Sequence, residues 1–152
     1  MVTLHFGCSM RGGYGYVSRE QLSRFPAIIT SLGHKLATNH QTSFNWAEIE
    51  AGMDYVYIHD RDFEGLKKST VGIFEISNPS LGVGAEISDM ILLGKPVMCL
   101  IKKGLESHVS AYIQGKKGSK FVKTPFECYE YDGMEHAKEL IKKFVDKHTA
   151  KI

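Results

Sequence analysis

From residue 71 to residue 86 the chain reads VGIFEISNPSLGVGAE, and its character changes twice along the way. Residues 71–76 are apolar apart from a glycine and a glutamate, which is typical of a buried strand. Residues 77–80 are turn formers, and the residues after them predict a helix that begins within 81–86 and ends near Gly94. A buried strand that passes through a short turn into a helix indicates a β-α unit of an α/β protein.

The same alternation of strand and helix extends in both directions from this unit. Ser18 can cap the first helix, and Pro26 is expected to kink that helix or split it in two. Because alternating strands and helices imply crossover connections, we expect an α/β fold: a doubly wound, flavodoxin- or Rossmann-like, five-stranded parallel sheet with helices on both faces. Residues 39–51 are polar and show no clear pattern. Strands are predicted near residues 2–6, 34–38, 71–76, 97–101 and 127–131, and helices near 19–32, 52–68, 81–94, 109–114 and 134–148.

The composition is that of an ordinary globular protein, and we interpret residues 1–152 as one domain. Hydrophobic residues make up 43% of the 152 residues and charged residues 24%, which excludes disorder and a disulfide scaffold. The net charge of +2 comes from scattered lysines, which argues against a nucleic-acid or membrane surface. No apolar stretch approaches the ~20 residues of a membrane-spanning helix, so we expect a soluble, cytoplasmic protein.

A glycine-rich turn at residues 7–15 follows the first strand and precedes the first helix. Its glycines allow backbone amides to approach a ligand, a helix N-terminus favours an anion, and Arg11 adds a guanidinium suited to phosphate. The spacing matches neither GxGxxG nor GxxxxGK(S/T), so dinucleotide and P-loop interpretations are poor. From spacing alone, a ligand-binding loop and a tight turn with an exposed Arg11 remain equal alternatives.

Two carboxylates stand near the edge of the sheet where a ligand is expected. A doubly wound sheet binds ligands at the carboxyl ends of its strands, so the loops after residues 6 and 76 are the expected site. Glu86 is either a charge that favours a helix N-terminus or a reactive carboxylate. Asp62, in the run HDRD at 59–62, belongs either to a solvated charge cluster or to a pair with Glu86 that cleaves a glycosidic bond.

The chain carries no pattern for a metal site. Seven histidines are scattered without an HxxxH or HExxH spacing, and three cysteines form no CxxC pair. We therefore expect no metal, and Cys99 and Cys128 are expected to be small buried hydrophobes. Tyr14, Tyr16 and Trp46 could stack on a base or could equally be ordinary packing residues.

Three segments of the chain together resemble one protein family. They are HFGCSMRGG at 5–13, HDRD at 59–62 and NPSLGVGAE at 78–86. The sequence is similar to the nucleoside 2-deoxyribosyltransferase superfamily, and within it to the 2′-deoxynucleoside 5′-phosphate N-hydrolase branch. The resemblance implies a homodimer that needs no cofactor. It also implies hydrolysis of the N-glycosidic bond of a (deoxy)nucleoside 5′-monophosphate, which releases the free base and (deoxy)ribose 5-phosphate.

The resemblance also assigns roles to individual residues. It implies that Glu86 is the nucleophile that attacks C1′ and forms a glycosyl ester, and that Asp62 orients this group and transfers protons. Ser80 would hold the 5′-phosphate, and Ser110 would reach the phosphate from the neighbouring subunit. The implied substrate-binding residues are His5, Cys8, Ser9, Met10, Arg11, Gly12, Gly13, His40, Ser80, Gly82, Gly84 and Ser110.

Two positions depart from the family pattern, and a third helps to choose between activities. His5 stands where the hydrolases commonly carry Tyr near the sugar, so it would hydrogen-bond a ribose 2′-hydroxyl or merely pack at a strand end. Gly7 and Cys8 reverse the usual Cys-Gly order. Ser80 favours a nucleotide over a nucleoside, because the acidic residue that transferases usually carry there would repel a phosphate. A base-exchanging deoxyribosyltransferase and an inactive nucleotide-binding sensor remain the alternatives.

Overall fold

The structure is a computed structural model, and it describes residues 1–10, 15–38 and 46–150. Within these residues, five strands form one sheet, with helices between them and after the last. The strands are β1 (Thr3–Cys8), β2 (Lys35–Leu36), β3 (Val71–Glu75), β4 (Val97–Lys102) and β5 (Phe126–Tyr131). The helices are α1 (Arg19–Leu22), α2 (Arg24–Ser31), α3 (Trp46–Glu50), α4 (Tyr55–Lys68), α5 (Leu81–Leu92), α6 (Ala111–Gln114) and α7 (Met134–Thr149), with a 3-10 turn at Glu106–His108.

The strand order is β2-β1-β3-β4-β5, and every neighbouring pair is parallel. This order confirms the predicted doubly wound α/β fold. The chain runs outward from β1 to β2 and then crosses back to β3, so the order switches between β1 and β3. Cys8 and Glu75 are register partners at the ends of these two strands. The loops that follow them therefore leave the same edge of the sheet side by side.

Two apolar layers cover the two faces of the sheet. Helices α1, α2 and α7 pack on one face, and α4 and α5 pack on the other. Successive strand residues point to opposite faces, so Ile73 belongs to the first layer and Phe74 to the second. This double burial explains the continuous apolar character of β3. Fully buried helix residues include Phe25, Ile29 and Ile141 in the first layer, and Ile87 and Met90 in the second.

The segment after Ser18, predicted as a helix that is kinked or split in two at Pro26, is two helices. Ser18 caps α1 as predicted, because its Oγ accepts the Gln21 N–H at 3.2 Å. The chain then breaks at Ser23, and α2 begins at the next residue. The helix therefore breaks at Ser23, three residues before Pro26, where the break was expected. Pro26 occupies the first turn of α2, where a missing N–H costs the helix no hydrogen bond.

Some boundaries differ from the predicted ones for a local reason. β1 continues through Gly7 to Cys8, and the missing side chain of Gly7 leaves room for the ring of Phe74. A Cβ at Gly7 would lie 2.5 Å from a carbon of that ring. β2 has two residues where five were predicted, and α3 lies in the stretch that showed no pattern. Across the described residues, no helix has both the length and the apolar character to cross a membrane.

Candidate active site

The loop from β3 to α5 is held by hydrogen bonds to its neighbours. Ser77 donates its hydroxyl to the buried carboxylate of Glu75, and the Ser77 Oγ accepts the Lys102 N–H at 2.8 Å. Ser9, just after β1, donates its hydroxyl to the Pro79 carbonyl at 3.1 Å. The loop is therefore fixed to β4 on one side and to the end of β1 on the other.

Asn78 joins this loop to the segment that leads into α1. Its Oδ1 accepts the Val17 N–H at 3.0 Å, and its Nδ2 donates to the Val17 carbonyl at 2.8 Å. One side chain thus pairs both backbone groups of Val17. We call residues 15–17 and 76–80 together the floor of the site, since they lie side by side at the switch in strand order.

Helix α5 begins where the floor ends, and its first turn carries predicted phosphate-binding residues. Ser80 is the N-cap, and its Oγ accepts the Val83 N–H at 3.3 Å. The first amides of a helix have no intrahelical acceptor and lie at the positive end of the helix dipole. The turn that contains Gly82 and Gly84 therefore suits an anion such as a phosphate.

Glu86 lies further along α5 and touches β1. Its Oε2 is 3.1 Å from Nε2 of His5, and 20% of the Glu86 side chain is exposed. The absent side chain of Gly7 permits this approach, because a Cβ there would lie 2.9 Å from the same Oε2. Glu86 therefore contacts the sheet at its back while also lining the cleft described below.

Arg61 holds Asp62 in place on α4. Its Nε donates to Oδ1 of Asp62 at 2.9 Å, and its Nη2 donates to Oδ2 at 3.2 Å. The same Nη2 donates to Oε1 of Glu50 at 2.8 Å. A two-pronged contact of this kind fixes the orientation of a carboxylate. The charge cluster is therefore divided, with Arg61 and Asp62 20% exposed and His59 and Asp60 about 70% exposed.

These elements enclose a cleft of about 1150 Å³ at the carboxyl ends of β1 and β3. Its position agrees with the site expected for a doubly wound sheet. The structure brings eight of the predicted site residues into it. These residues are Cys8, Met10, Asp62, Ser80, Gly82, Gly84, Glu86 and Ser110.

The other predicted residues lie beneath the cleft or outside the described part of the chain. Ser9 is 6% exposed and supports the floor, and His5 is fully buried behind Glu86. Tyr16 packs on His108, a cleft residue, with ring centroids 5.0 Å apart. The predicted residues outside the described ranges are Arg11, Gly12, Gly13, Tyr14 and His40, as is the side chain of Trp46.

The structure also adds cleft residues that the sequence analysis missed. Tyr55, Ile58 and Asp62 lie on one face of α4 at a spacing of three and four, so the helical pattern could have indicated the first two. Glu50 had no such signal, because α3 is short and lies in a stretch without a pattern. His108 reaches the cleft from the turn after β4, and local sequence does not reveal that approach.

The mouth of the cleft is apolar and exposed. Tyr55, Leu81 and Tyr112 line the cleft and are 83%, 96% and 80% exposed. Ser110 lies beside them at the start of α6, and its hydroxyl makes no capping bond with the described residues. We call these four residues the rim. Large exposed apolar side chains gathered in one place are typical of a contact surface.

Burial controls the protonation of two groups next to the floor. It raises the pKa of the Glu75 carboxyl to about 7, although hydrogen bonds from Ser77 and Tyr131 act in the opposite direction. Burial, and secondarily the charge of Glu75, raises the pKa of the Cys8 thiol to about 12. Cys8 therefore lines the cleft as a neutral thiol rather than as a nucleophilic thiolate.

Ligands for a metal ion are not gathered in the part of the chain that the structure describes. Within residues 1–10, 15–38 and 46–150, no group of three or more His, Cys, Asp or Glu side chains could hold a metal ion. Cys99 is buried, as predicted, whereas its register partner Cys128 is half-buried. The expectation of full burial is wrong for Cys128, because β5 is an edge strand.

Comparison with known proteins identifies the family of this chain. No protein-family model matches the chain. The mouse protein 5-hydroxymethyl-dUMP N-hydrolase is 34% identical over 143 residues, which cover 88% of this chain and 78% of the mouse protein. A Nematostella vectensis relative named as a 2′-deoxynucleoside 5′-phosphate N-hydrolase is 34% identical over 79% of this chain and 82% of its own. A solved structure, the Clostridium botulinum CMP N-glycosidase BcmB, is 14% identical, has a TM-score of 0.66, and covers 93% of this chain and 98% of that one.

The fold and these relatives together define a class, the N-glycosidases of the nucleoside 2-deoxyribosyltransferase superfamily. Within that class, the chain belongs to the 2′-deoxynucleoside 5′-phosphate N-hydrolase family. This finding confirms the family that the segments 5–13, 59–62 and 78–86 resemble. It also confirms that the chain is an enzyme of the N-glycosidase type.

Proposed function

We propose that the protein hydrolyses the N-glycosidic bond of a (deoxy)nucleoside 5′-monophosphate through a covalent intermediate on Glu86. The observation that carries this proposal is that Glu86 and the capped N-terminus of α5 open into one cleft. The offset from Ser80 to Glu86 corresponds to about 9 Å along a helix axis. A nucleotide with its phosphate at Ser80 and its C1′ at the carboxylate suits this separation. The mouse relative's name, an N-hydrolase of a deoxynucleotide, supports the same reaction.

The phosphate end of the substrate is held by the first turn of α5. The backbone amide of Gly82, in the first turn of the helix, donates to a phosphate oxygen, and the helix dipole favours the negative charge. The Ser80 hydroxyl accepts a bond from Val83 and retains its own hydrogen for a phosphate oxygen. A nucleoside without a phosphate makes none of these contacts, so we expect it to be a poor substrate.

The reaction takes two steps. First, an oxygen of Glu86 attacks C1′ and forms an ester, while the bond from C1′ to the base breaks and leaves its electron pair on the base, which takes up a proton. Second, a water molecule attacks C1′ and loses a proton, and the ester bond breaks to restore the carboxylate. Each step passes through an oxocarbenium-like transition state with a lower barrier than direct displacement.

Asp62 is the group that we assign to the proton transfers. It lies in the same cleft as Glu86 but on α4, so it approaches the substrate from a different wall. The Arg61 guanidinium fixes the direction of its carboxylate. Asp62 would protonate the departing base and then accept the proton of the attacking water, which is the usual division of work between two carboxylates at a glycosidic bond.

A second copy of the chain is the partner that we propose for the rim. Leu81 and Tyr112 are strongly exposed beside the place assigned to the phosphate. Burial of these side chains between two copies would remove apolar surface from water. In such a homodimer, the exposed Ser110 would reach the phosphate of the neighbouring subunit.

The proposed activity is tested by measuring base release from every ribo- and deoxyribonucleoside 5′-monophosphate, with the matching nucleosides as controls. We expect release from 5′-monophosphates and little release from nucleosides. Release from deoxynucleotides alone would define a deoxynucleotide hydrolase, and release from a ribonucleotide would extend the substrate class to ribose. Binding without release would support the sensor instead, and transfer of the sugar to an added free base would support a deoxyribosyltransferase.

The covalent step is tested with Glu86→Gln and a matched control on the same helix. We expect Glu86→Gln to bind nucleotide and to release no base, whereas Asp89→Asn, which removes a carboxylate elsewhere on α5, should release base normally. Rapid quenching and denaturing mass spectrometry should show a sugar-phosphate adduct on the unaltered protein but not on Glu86→Gln. Near-normal turnover of Glu86→Gln would show that the nucleophile is a different group.

A further inference from the structure

His5 lies behind Glu86 rather than in front of it. The His5 side chain is fully buried on β1, while its Nε2 is 3.1 Å from Oε2 of Glu86. A ribose in the cleft would meet the exposed part of Glu86 first. The hydrogen bond that His5 makes is therefore to the reactive carboxylate, and it forms without any sugar present.

The surroundings of His5 define which ring nitrogen carries the hydrogen. Nδ1 is buried and has no hydrogen-bond partner among the described residues. A buried N–H without an acceptor is costly, so the hydrogen belongs on Nε2. An ionised Glu86 can only accept, which agrees with a bond from the His5 Nε2–H to Oε2.

The backbone around His5 leaves little freedom for this contact. The Phe74 ring packs against the imidazole with a centroid distance of 5.4 Å. A Cβ at Gly7 would come within 2.9 Å of Oε2 and 2.5 Å of the Phe74 ring, so the carboxylate and the ring fill the space above this glycine. Rigid strands thus support the imidazole, and the imidazole in turn supports one oxygen of Glu86.

We propose that His5 is a positioning residue for Glu86: it holds Oε2 so that the other oxygen is presented to C1′. This inference rests on the proposed function, because it takes Glu86 as the nucleophile. It differs from a sugar-selecting role, since a residue that acts through Glu86 affects ribose and deoxyribose substrates alike. The imidazole is carried by β1, which has a strand on each side in the sheet.

Three variants of His5 separate the hydrogen bond from the packing. The amide nitrogen of His5→Gln can occupy the place of Nε2, whereas that of His5→Asn reaches only the place of Nδ1. His5→Phe keeps an aromatic ring and removes the donor. We expect kcat to fall about 10- to 100-fold in His5→Phe and His5→Asn, and to stay within several-fold of the unaltered enzyme in His5→Gln. The KM should change little in all three variants.

The sugar provides the decisive comparison. If the enzyme accepts both sugars, the fold-change in kcat for His5→Phe should be the same with a ribonucleotide and with its deoxy counterpart. If only deoxynucleotides react, the loss should still appear, although no 2′-hydroxyl is present. A loss confined to ribonucleotides, or equal rates for His5→Phe and the unaltered enzyme, would overturn the positioning role.

Nuclear magnetic resonance provides a measurement that does not depend on turnover. The imidazole nitrogens of His5 in the unliganded protein should show hydrogen on Nε2, and Glu86→Gln should shift the Nε2 resonance, while the control Asp89→Asn should not. If this shift is seen but no nucleotide is cleaved, the contact is real and the proposed function fails. If nucleotides are cleaved but His5 carries its hydrogen on Nδ1, the inference about His5 fails alone.

Discussion

Several side chains of the site hold another side chain instead of facing the cleft. Arg61 donates two hydrogen bonds to Asp62 and one to Glu50, and His5 contacts Glu86 from the sheet side. Arg61 and His5 thus restrain the two carboxylates to which the proposed mechanism assigns the proton transfers and the attack on C1′. At the residue scale, the proposed chemistry therefore depends on groups behind the carboxylates.

The Arg61 contact leads to the first prediction. Arg61→Met keeps much of the side-chain length but releases Asp62 and leaves two nearby carboxylates without their shared cation. We expect kcat for base release to fall about 10- to 100-fold. Arg61→Lys should recover only part of the loss. The ammonium group restores the positive charge, but it lacks the planar fork with which a guanidinium binds both carboxylate oxygens.

A surface ion pair serves as the control for this prediction. Arg24 donates to Glu20 at 2.8 Å on the outer side of α1 and α2, where both side chains are more than half exposed. Such pairs contribute little, so Arg24→Met should leave kcat unchanged. Equal rates for Arg61→Met and the unaltered enzyme, with both folded, would show that Asp62 keeps its orientation without Arg61.

At the scale of elements, the N-terminus of α5 has two tasks that one substitution can separate. Asp caps a helix about as well as Ser does, so Ser80→Asp should keep the cap and the thermal midpoint of unfolding. A carboxylate at this place would repel the 5′-phosphate. We expect the KM for nucleotides to rise about 10- to 100-fold while stability is preserved.

The same substitution at another cap is the comparison for this prediction. Ser18 caps α1 through a bond to Gln21, on the exposed surface. Ser18→Asp makes the same chemical change there, and we expect the KM for nucleotides to equal that of the unaltered enzyme. A KM that does not respond to Ser80→Asp would place the phosphate elsewhere in the cleft.

The carboxyl end of β3 makes stability depend on pH. Burial raises the pKa of Glu75 from 4.5 to about 7, so the folded chain binds this proton more tightly than the unfolded chain. The contribution of Glu75 to stability is therefore complete below pH 4.5 and is lost as the pH rises through 7. A shift of this size corresponds to roughly 3 kcal/mol.

Urea unfolding of the wild-type chain and of Glu75→Gln between pH 4.5 and pH 8 measures this contribution. The difference in the free energy of unfolding between the two proteins should change with pH, in favour of Glu75→Gln at the high end. Other carboxylates titrate in both proteins and cancel in the difference. A constant difference across this range would mean that Glu75 has the same pKa in the folded and unfolded chains.

At the scale of the whole molecule, the sequence was sufficient for the sheet but not for the cleft. Each strand of the sheet except β2 carries its own apolar run, so the order of elements could be predicted from local patterns. The motif from Asn78 to Glu86 marked one wall of the cleft. Glu50 and His108 join the cleft only through tertiary packing, and no local pattern encodes their approach.

One error of prediction has its origin outside the local sequence. The half-burial of Cys128 depends on the open edge beside β5, which is set by the order of the strands in the sheet. Apolar periodicity reports local preferences, which tertiary context overrides. The contact from Arg61 to Glu50 escaped prediction for the same reason, since no backbone period relates these two residues.

The rim predicts the assembly of the whole protein. Leu81 is 96% exposed beside the proposed phosphate site, and Leu92, at the other end of α5, is 84% exposed. We expect the protein to sediment as a dimer, Leu81→Glu to sediment as a monomer with reduced activity, and Leu92→Glu to remain dimeric. Ser110→Ala should raise the KM while leaving the dimer intact. A wild-type protein that is monomeric at micromolar concentration would contradict the proposed partner.

The two bonds from Asn78 to Val17 also affect how the cleft moves. They join the segment that leads into α1 to the loop after β3, beyond the last ladder residues of β1 and β3, so two hydrogen bonds connect the two loops of the floor. A fluctuation that exposes one loop must break both bonds and release the other. The amide protons of the two loops should therefore exchange with solvent in a single cooperative opening. A nucleotide that closes one loop would slow exchange in both.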